Sequence, residues 1–534
     1  MRIRRRTKLA LVSLILGLAA AAPQVRPQAG TPGLALLPPD LETEVVRVMK
    51  TFDVPGLALA IVKDDRVLLA KGYGLRRLGE MSLVDARTLF GIASNTKVFT
   101  AAALGLLVEE GKVAWDVPVV DYLPWFQMWD PYVTREITVR DLLVHRSGLG
   151  LGAGDLLWWP PSTYGRKEIV RRLRFIRPAS SFRSTYAYDN VLYLAAGELI
   201  EAVSGRSWES FVAERILKPA GMTMSRVNYS ATANGGNVAG THALVEGTLR
   251  SVKAMDTENI APAGGINSSA LDMARWMLVL LNGGRLTGGA RLMSERTVRE
   301  LMTLVTPIPI PKAEPELAAL EPHFRGYGLG LGLQDYRGRE VVAHTGGLPG
   351  YLSKVTLLPE LKLGVAVLTN QESADAFNAL SWHVVDYYLG APATDWVEAF
   401  RTVRKRTESK VAEGLARAEA ERHPDSGPSL APGGYAGRYA DAWYGDIRIA
   451  LEDGRLVMRF AHTPDLVGDL EHWQYDTFLV RWRLRELRAD ALLTFSLNPD
   501  GSIAEARMRA VSPETDFSFD FQDLRLEPVR SPRS

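Results

Sequence analysis

Residues 90–112, FGIASNTKVFTAAALGLLVEEGK, contain the turn on which the reading of the fold rests. An apolar lead-in through Phe90 and Ile92 ends at Ser94. From Lys97 an apolar-rich run, with Val98, Phe99, Ala102 and Leu107, predicts a helix that closes at Gly111. Three residues make nearly one helical turn, so Ser94 and Lys97 project from the same face. An ammonium beside a hydroxyl assists its deprotonation, and first-turn N–H groups lie where an oxyanion would form. A serine at a helix start is often a plain N-cap, so the neighbouring sequence must supply the specificity.

Outward from this turn, residues 41–50 carry helical spacing. Gly56–Lys63 and 66–71 then form a hairpin about Asp64 and Asp65. Helical periodicity recurs over 138–145, 167–174, 191–204, 207–216 and 269–283, separated by long loops. Strand-like runs return at 340–343, 352–358 and 363–368, and Ala374–Leu389 predicts a closing helix. The simplest α/β (α+β) architecture joins the early hairpin and the late strands in one antiparallel sheet. Helices cover its faces, and an inserted helical lobe meets the sheet at a cleft. The Pro-rich segment 307–321 is expected as an exposed loop. Residues 394–423 are charged and helix-prone, and 423–434 (HPDSGPSLAPGG) predict a linker. Alternating runs with aromatics at Tyr435, Tyr439, Trp443, Phe478, Trp482 and Phe495 follow, which predicts a small β-barrel or sandwich. The expected divisions are a signal at 1–22, a catalytic domain at 35–392, a connector at 393–432 and a β-domain at 433–530.

The chain of 534 residues has 63 Lys+Arg against 61 Asp+Glu, so no strong charge points to nucleic acid as a partner. Cysteine is absent, which excludes disulfides, thiolate nucleophiles and cysteine-ligated metal. The 8 histidines form no H-x-H or H-E-x-x-H cluster, and neither a metal site nor a cofactor is expected. Positive charge gathers at Arg2, Arg4, Arg5, Arg6 and Lys8, ahead of an apolar run over 9–22. This reads as an export signal with a small-residue cleavage site near Ala21, too short to span a bilayer. A membrane association is expected only if it stays uncleaved.

Two further strings bear chemistry. In STYAYDNVLYLAAGELIEAVSG, Tyr188 and Asn190 are two apart in an extended stretch and face the same way. A phenol near a cation relays protons, and an amide holds a carbonyl; Tyr186 competes for the tyrosine's role. In EVVAHTGGLPGY, His344 ends a strand-like run before Gly346 and Gly347, which admit a substrate backbone along the strand edge.

Ser-x-x-Lys, Tyr-x-Asn and His-x-Gly in this order resemble the serine β-lactamase and penicillin-binding-protein superfamily. The likeness is to the branch of class C β-lactamases, D,D-carboxypeptidases, D-aminopeptidases and esterases. The strings at 137–149 (ITVRDLLVHRSGL), 196–222 and 263–277 look like stretches of the same family, and the last domain is similar to a lipocalin-like domain found in such hydrolases. The resemblance implies Ser94 as acylated nucleophile, Lys97 as its proton partner and Tyr188 as general base and donor to the leaving group. It further implies that Asn190 orients a substrate amide and that the N–H groups of Ser94 and Gly347 form an oxyanion hole. His344 stands where many relatives carry lysine, so substrate binding is expected to respond to pH near about 6.5. Loss of the permanent cation also weakens the case for carboxylate-bearing β-lactams. The expected function is a secreted serine hydrolase acting through an acyl-enzyme on small peptides, D-residue-containing ones included. Esterase or weak β-lactamase activity is the alternative, and a non-catalytic peptide or cell-wall binding protein is the alternative of another class. A homo-oligomer is left open.

Overall fold

The fold is described from a computed structural model, which covers residues 36–230 and 235–529. The expected signal at 1–22 lies outside the described residues. Strand β1 (Gly56–Lys63) is apolar at nearly every position because both its faces are covered. Ala58, Ala60 and Val62 enter one core, and Leu57, Leu59 and Ile61 enter the other. Asp64 and Asp65, at φ 48° and 65°, make the left-handed two-residue turn to β2 (Arg66–Gly74).

The late strands complete the sheet. They are β3 (Thr306–Pro307), β4 (Arg325–Tyr327), β5 (Gly332–Tyr336), β6 (Arg339–Leu348), β7 (Tyr351–Leu358) and β8 (Leu363–Thr369). The order is β2-β1-β8-β7-β6-β5-β4-β3, antiparallel throughout. The early hairpin and late strands thus share one sheet, as the sequence predicts. Helices α1 (Leu41–Thr51), α5 (Ala374–Leu389) and the first turn of α6 (Trp396–Ala420) cover one face. On the other lie α2 (Lys97–Glu109) and α4 (Ala270–Leu281), joined by Phe99 and Trp276, whose rings stack at 4.3 Å. Helix α3 (Val191–Ser204) anchors the inserted lobe.

The lobe is less regular than its periodicity. Over 138–145 the chain makes one 3-10 turn, Asp141–Leu143. There the buried Asp141 carboxylate accepts from Thr138, Arg146 and Arg183, and His145 takes a left-handed φ of 56° that ends the helix. Around 207–216 a short helix, Trp208–Val212, widens into a π-turn at Ala213–Leu217.

The C-terminal barrel closes through eight strands, β9 (Gly437–Asp441), β10 (Gly445–Glu452), β11 (Arg455–Phe460), β12 (Val467–Gln474), β13 (Thr477–Trp482), β14 (Ala491–Leu497), β15 (Ile503–Ala510) and β16 (Arg525–Pro528). Aromatic rings pack its interior, among them Tyr435 against Phe478 and Phe495 at 4.9 Å each, and Trp482 stacked on Phe521 at 5.7 Å. Residues 423–434 are tied to it, His423 N–H donating to Gln474 and Ser429 N–H to Asp476. From Leu37 on, the described residues of the sheet-and-helix unit and the barrel form one compact body. The reason is the segment before β16: buried Asp520 accepts from the N–H groups of Gly154 (2.6 Å) and Leu156 (3.0 Å) in the lobe. Tyr164 and Arg172 donate in turn to the carbonyls of Tyr444 and Trp443. The Pro-rich stretch is also more than an exposed loop. It forms a 3-10 turn at Pro315–Leu320, roped to α6 by Arg406 through Glu314 (2.6 Å) and Glu316 (2.5 Å).

Asp520→Ala would strand two buried N–H donors at this junction. The expected loss of stability is about 2–4 kcal/mol, read from urea unfolding; a loss under about 0.5 kcal/mol would mean the junction does not hold the barrel to the lobe.

Candidate active site

The Ser94 turn is built by collision and anchoring. Ala93, with φ at 47°, breaks the extended lead-in, and a 3-10 turn Ala93–Thr96 runs into α2. Ser353 on β7 fixes the turn from behind, donating to Ile92 O (2.7 Å) and accepting from Asn95 Nδ2 (2.8 Å). Strand β6 presses on it so closely that a Cβ on Gly346 would stand 2.1 Å from Ile92 O and 2.9 Å from Ser94 N. Glycine is therefore a steric requirement at 346.

Lys97 is fully buried, and its ammonium reaches three oxygens: Ser94 Oγ at 3.0 Å, Asn190 Oδ1 at 2.7 Å and Ala263 O at 3.2 Å. None carries a formal charge. Burial lowers its pKa to about 7 against the opposing pull of the Asp155 and Asp189 carboxylates. Burial holds the Tyr188 phenol well above 10, with the Ser94 hydroxyl pulling the other way. Its ring centroid lies 4.8 Å from Lys97 Nζ. Tyr186 lines the same cavity, but the Ser94 hydroxyl bears on the phenol of Tyr188 and not on that of Tyr186. Asn190 bridges Lys97 to Asp155, donating to Oδ2 at 2.8 Å.

His344 is buried on β6 and differs from expectation. Its Nδ1 meets Thr345 O at 2.5 Å and its Nε2 meets the Tyr327 hydroxyl at 2.7 Å. A carbonyl can only accept, so Nδ1 carries the proton and Nε2 receives the phenol's. Burial, with the Lys97 charge, lowers its pKa to about 3. It is a neutral spacer between pH 5 and 8, so the expected response near pH 6.5 has no source in this residue.

Ser94, Tyr188, Asn190, His344 and Gly347 line one cavity of about 660 Å³. Gly346 is placed behind the serine rather than in its wall. Other contributors escape sequence reasoning. Asp155 accepts from Asn190, Trp158 Nε1 (3.0 Å) and the Ser518 hydroxyl (2.9 Å); burial raises its carboxyl to about 8 even under these donors. Ser518 belongs to the barrel segment, as does Phe517, whose ring stands edge-on to Tyr188 at 6.0 Å. Gly152, at φ 68°, makes room, since a Cβ there would lie 2.7 Å from Phe517. His145 packs on Tyr188 at 4.3 Å and accepts from Asp189 N–H. Its string, ITVRDLLVHRSGL, was the available signal. Among the described residues no group of three or more His, Asp or Glu side chains could hold a metal ion.

A serine on a helix-opening turn, a desolvated lysine one turn on and a tyrosine in the same cavity, all set between an antiparallel sheet and a helical lobe, form the layout of the β-lactamase and transpeptidase fold. The chain belongs to the Beta-lactamase family, whose model matches residues 41–388. A second model, a domain of unknown function (DUF3471), matches 421–528. Unguisins hydrolase ungD of Aspergillus violaceofuscus is 29% identical over 501 residues, 86% of either chain. Penicillin-binding protein 4 of Amycolatopsis lactamdurans is 28% identical over 334 residues, 61% of this chain and 83% of that one. Among solved structures, the octameric penicillin-binding protein homologue of Pyrococcus abyssi superposes with a TM-score of 0.56 at 22% identity, covering 91% of this chain and 99% of its own. A D-stereospecific amidohydrolase from Streptomyces sp. gives 0.52 at 24%, covering 66% and 100%. These two structures share the fold.

Gly346→Ala is expected to displace the Ser94 turn and lower the rate of Ser94 acylation by a fluorescent serine-reactive probe at least about 100-fold, a barrier increase near 2.7 kcal/mol, with the barrel intact by circular dichroism. Wild-type labelling in this variant would show that the close approach of β6 is not required.

Proposed function

We propose that the protein hydrolyses peptide or amide bonds of small peptides through an acyl-enzyme on Ser94. The observation that carries this reading is the buried Lys97 ammonium, 3.0 Å from Ser94 Oγ and free of any carboxylate partner within ion-pair distance among the described residues. With a pKa near 7 the lysine is a free base in much of the molecule at neutral pH, whereas the Tyr188 phenol binds its proton far more tightly. Lys97 therefore takes the Ser94 proton as Oγ attacks the substrate carbonyl. Tyr188 relays a proton to the departing amine, and water then attacks the ester with the same groups in reverse.

The cavity suits an extended backbone. Pairing of β5 with β6 ends at Gly332 opposite Ala343, which leaves the 344–348 edge of β6 unpaired beside Ser94 among the described residues. An extended peptide docks on such an edge through its own N–H and C=O groups. The N–H groups of Ser94 and Gly347 are the proposed receivers of the oxyanion. A relative named as a hydrolase aligns across catalytic unit and barrel together, which supports a hydrolytic outcome. The neutral state of His344 argues against a β-lactam carboxylate as the preferred ligand at that position. Export is part of the proposal, supported by the Arg/Lys cluster ahead of the apolar run over 9–22. Intact mass of the protein from producing cells should lack about the first 21 residues; retention of the full N-terminus in a washed periplasmic or medium fraction would count against cleavage.

Labelling by the serine-reactive probe and turnover of a panel of L- and D-residue peptides are both expected in the wild type and absent in Ser94→Ala. Since protonated Lys97 cannot accept a proton, the acylation rate should rise about tenfold per pH unit below 7 and level off above it. Persistent labelling of Ser94→Ala, or a rate independent of pH from 5.5 to 8.5, would contradict the assignment.

A further inference from the structure

The cavity that begins at Ser94 does not end there. It passes the unpaired edge of β6 and opens on the opposite face of the sheet, where Lys354, Thr356, Asn378 and Trp382 line it beneath the Pro-rich roof. Side chains alternate along β7. Ser353 and Val355 face the Ser94 turn, while Lys354 and Thr356 face α5. Lys354 is 5% exposed, and its ammonium makes one hydrogen bond, to Asn378 Oδ1 at 2.7 Å. An ammonium has three donors. It lies 4.7 Å from the Trp382 ring centroid, and no carboxylate of the described residues pairs with it. Two residues along, the Thr356 hydroxyl is buried without any hydrogen-bond partner.

A buried amine with unfilled hydrogen-bonding capacity, its proton loosened by burial, is costly beside a buried, unpartnered hydroxyl in a finished core, where such groups are paired. Both costs vanish if a carboxylate occupies the chamber. Other charged groups on the cavity wall do not serve. Glu314 is engaged by Arg406, Glu321 by the N–H of Ala313 and Asp516 by the N–H of Ser518, while Lys312 and Arg325 add positive charge. Ile308, Ile310, Leu317 and Leu320 make the rest of the wall apolar.

We propose that this chamber is a carboxylate-binding subsite, in which Lys354 Nζ and Thr356 Oγ1 hold the acid group of a ligand whose apolar part lies on Trp382 and the Ile310–Leu320 wall. The site binds a monocarboxylate, either the free C-terminus of a peptide lying along β6 or a separate small acid. It does not depend on the acyl-enzyme reading and is tested without turnover.

Calorimetric titration of the full-length Ser94→Ala protein uses four probes: 3-phenylpropionate, 3-phenylpropanamide, a tripeptide ending in phenylalanine with a free carboxylate, and the same tripeptide as its amide. At least one acid should bind ten or more times tighter than its amide. Lys354→Met, which keeps the length of the stem, should abolish that preference, and Thr356→Val should reduce it several-fold. Preference confined to the peptide acid assigns the site to the substrate's own terminus, and preference shown by phenylpropionate assigns it to an independent acid. Equal affinity of acids and amides, no binding by any probe, or an unchanged preference in a Lys354→Met protein that melts like its parent would overturn the proposal.

Discussion

The structure turns on one ammonium group removed from water. Among the described residues Lys97 has no ion-pair partner, only a hydroxyl, an amide oxygen and a carbonyl. Transfer of an unpaired ammonium into a low-dielectric interior costs several kcal/mol, and the group responds by releasing its proton more easily. That response is what the proposed function uses, with Lys97 as base at neutral pH. An exposed lysine at the same helical position would stay protonated near its ordinary 10.5 and could not serve.

Keeping water from Lys97 requires three parts of the chain at once. The sheet supplies β6 and β7 behind the Ser94 turn, through Gly346 and Ser353. The lobe supplies Tyr188, Asn190 and Ala263. The barrel reaches the same network through Ser518, which donates to Asp155 and through it bears on Asn190. The Asp520 clasp on Gly154 and Leu156 holds that segment in place. The barrel is therefore a wall of the cavity in its own chain, with the Phe517 ring edge-on to Tyr188.

How much of this was legible follows from what each residue's neighbours encode. Strong periodicity marked the sheet, α2, α3, α4 and the closing helix, and motif spacing marked Ser94, Lys97, Tyr188, Asn190 and His344. The family resemblance implies Ser94 as nucleophile and Tyr188 as base; under the proposed function the buried Lys97 takes the base role, and burial leaves His344 uncharged. Asp155 and Ser518 could not be read because their meaning comes from a contact between residues 363 positions apart. Apolar spacing predicts helix over 138–145, where the chain makes only the 3-10 turn Asp141–Leu143, because spacing does not report the buried carboxylate that captures the chain. The Pro-rich stretch lacks periodicity, and its anchoring by Arg406 on a distant helix left no local trace.

The central claim is that burial outweighs the pull of the Asp155 and Asp189 carboxylates and loosens the proton of Lys97. Carbon-13 NMR of the full-length protein with labelled lysine side chains, assigned by loss of one resonance in Lys97→Met, measures it directly. The account predicts a Lys97 titration midpoint near 7. A midpoint at the ordinary lysine value near 10.5 would contradict it.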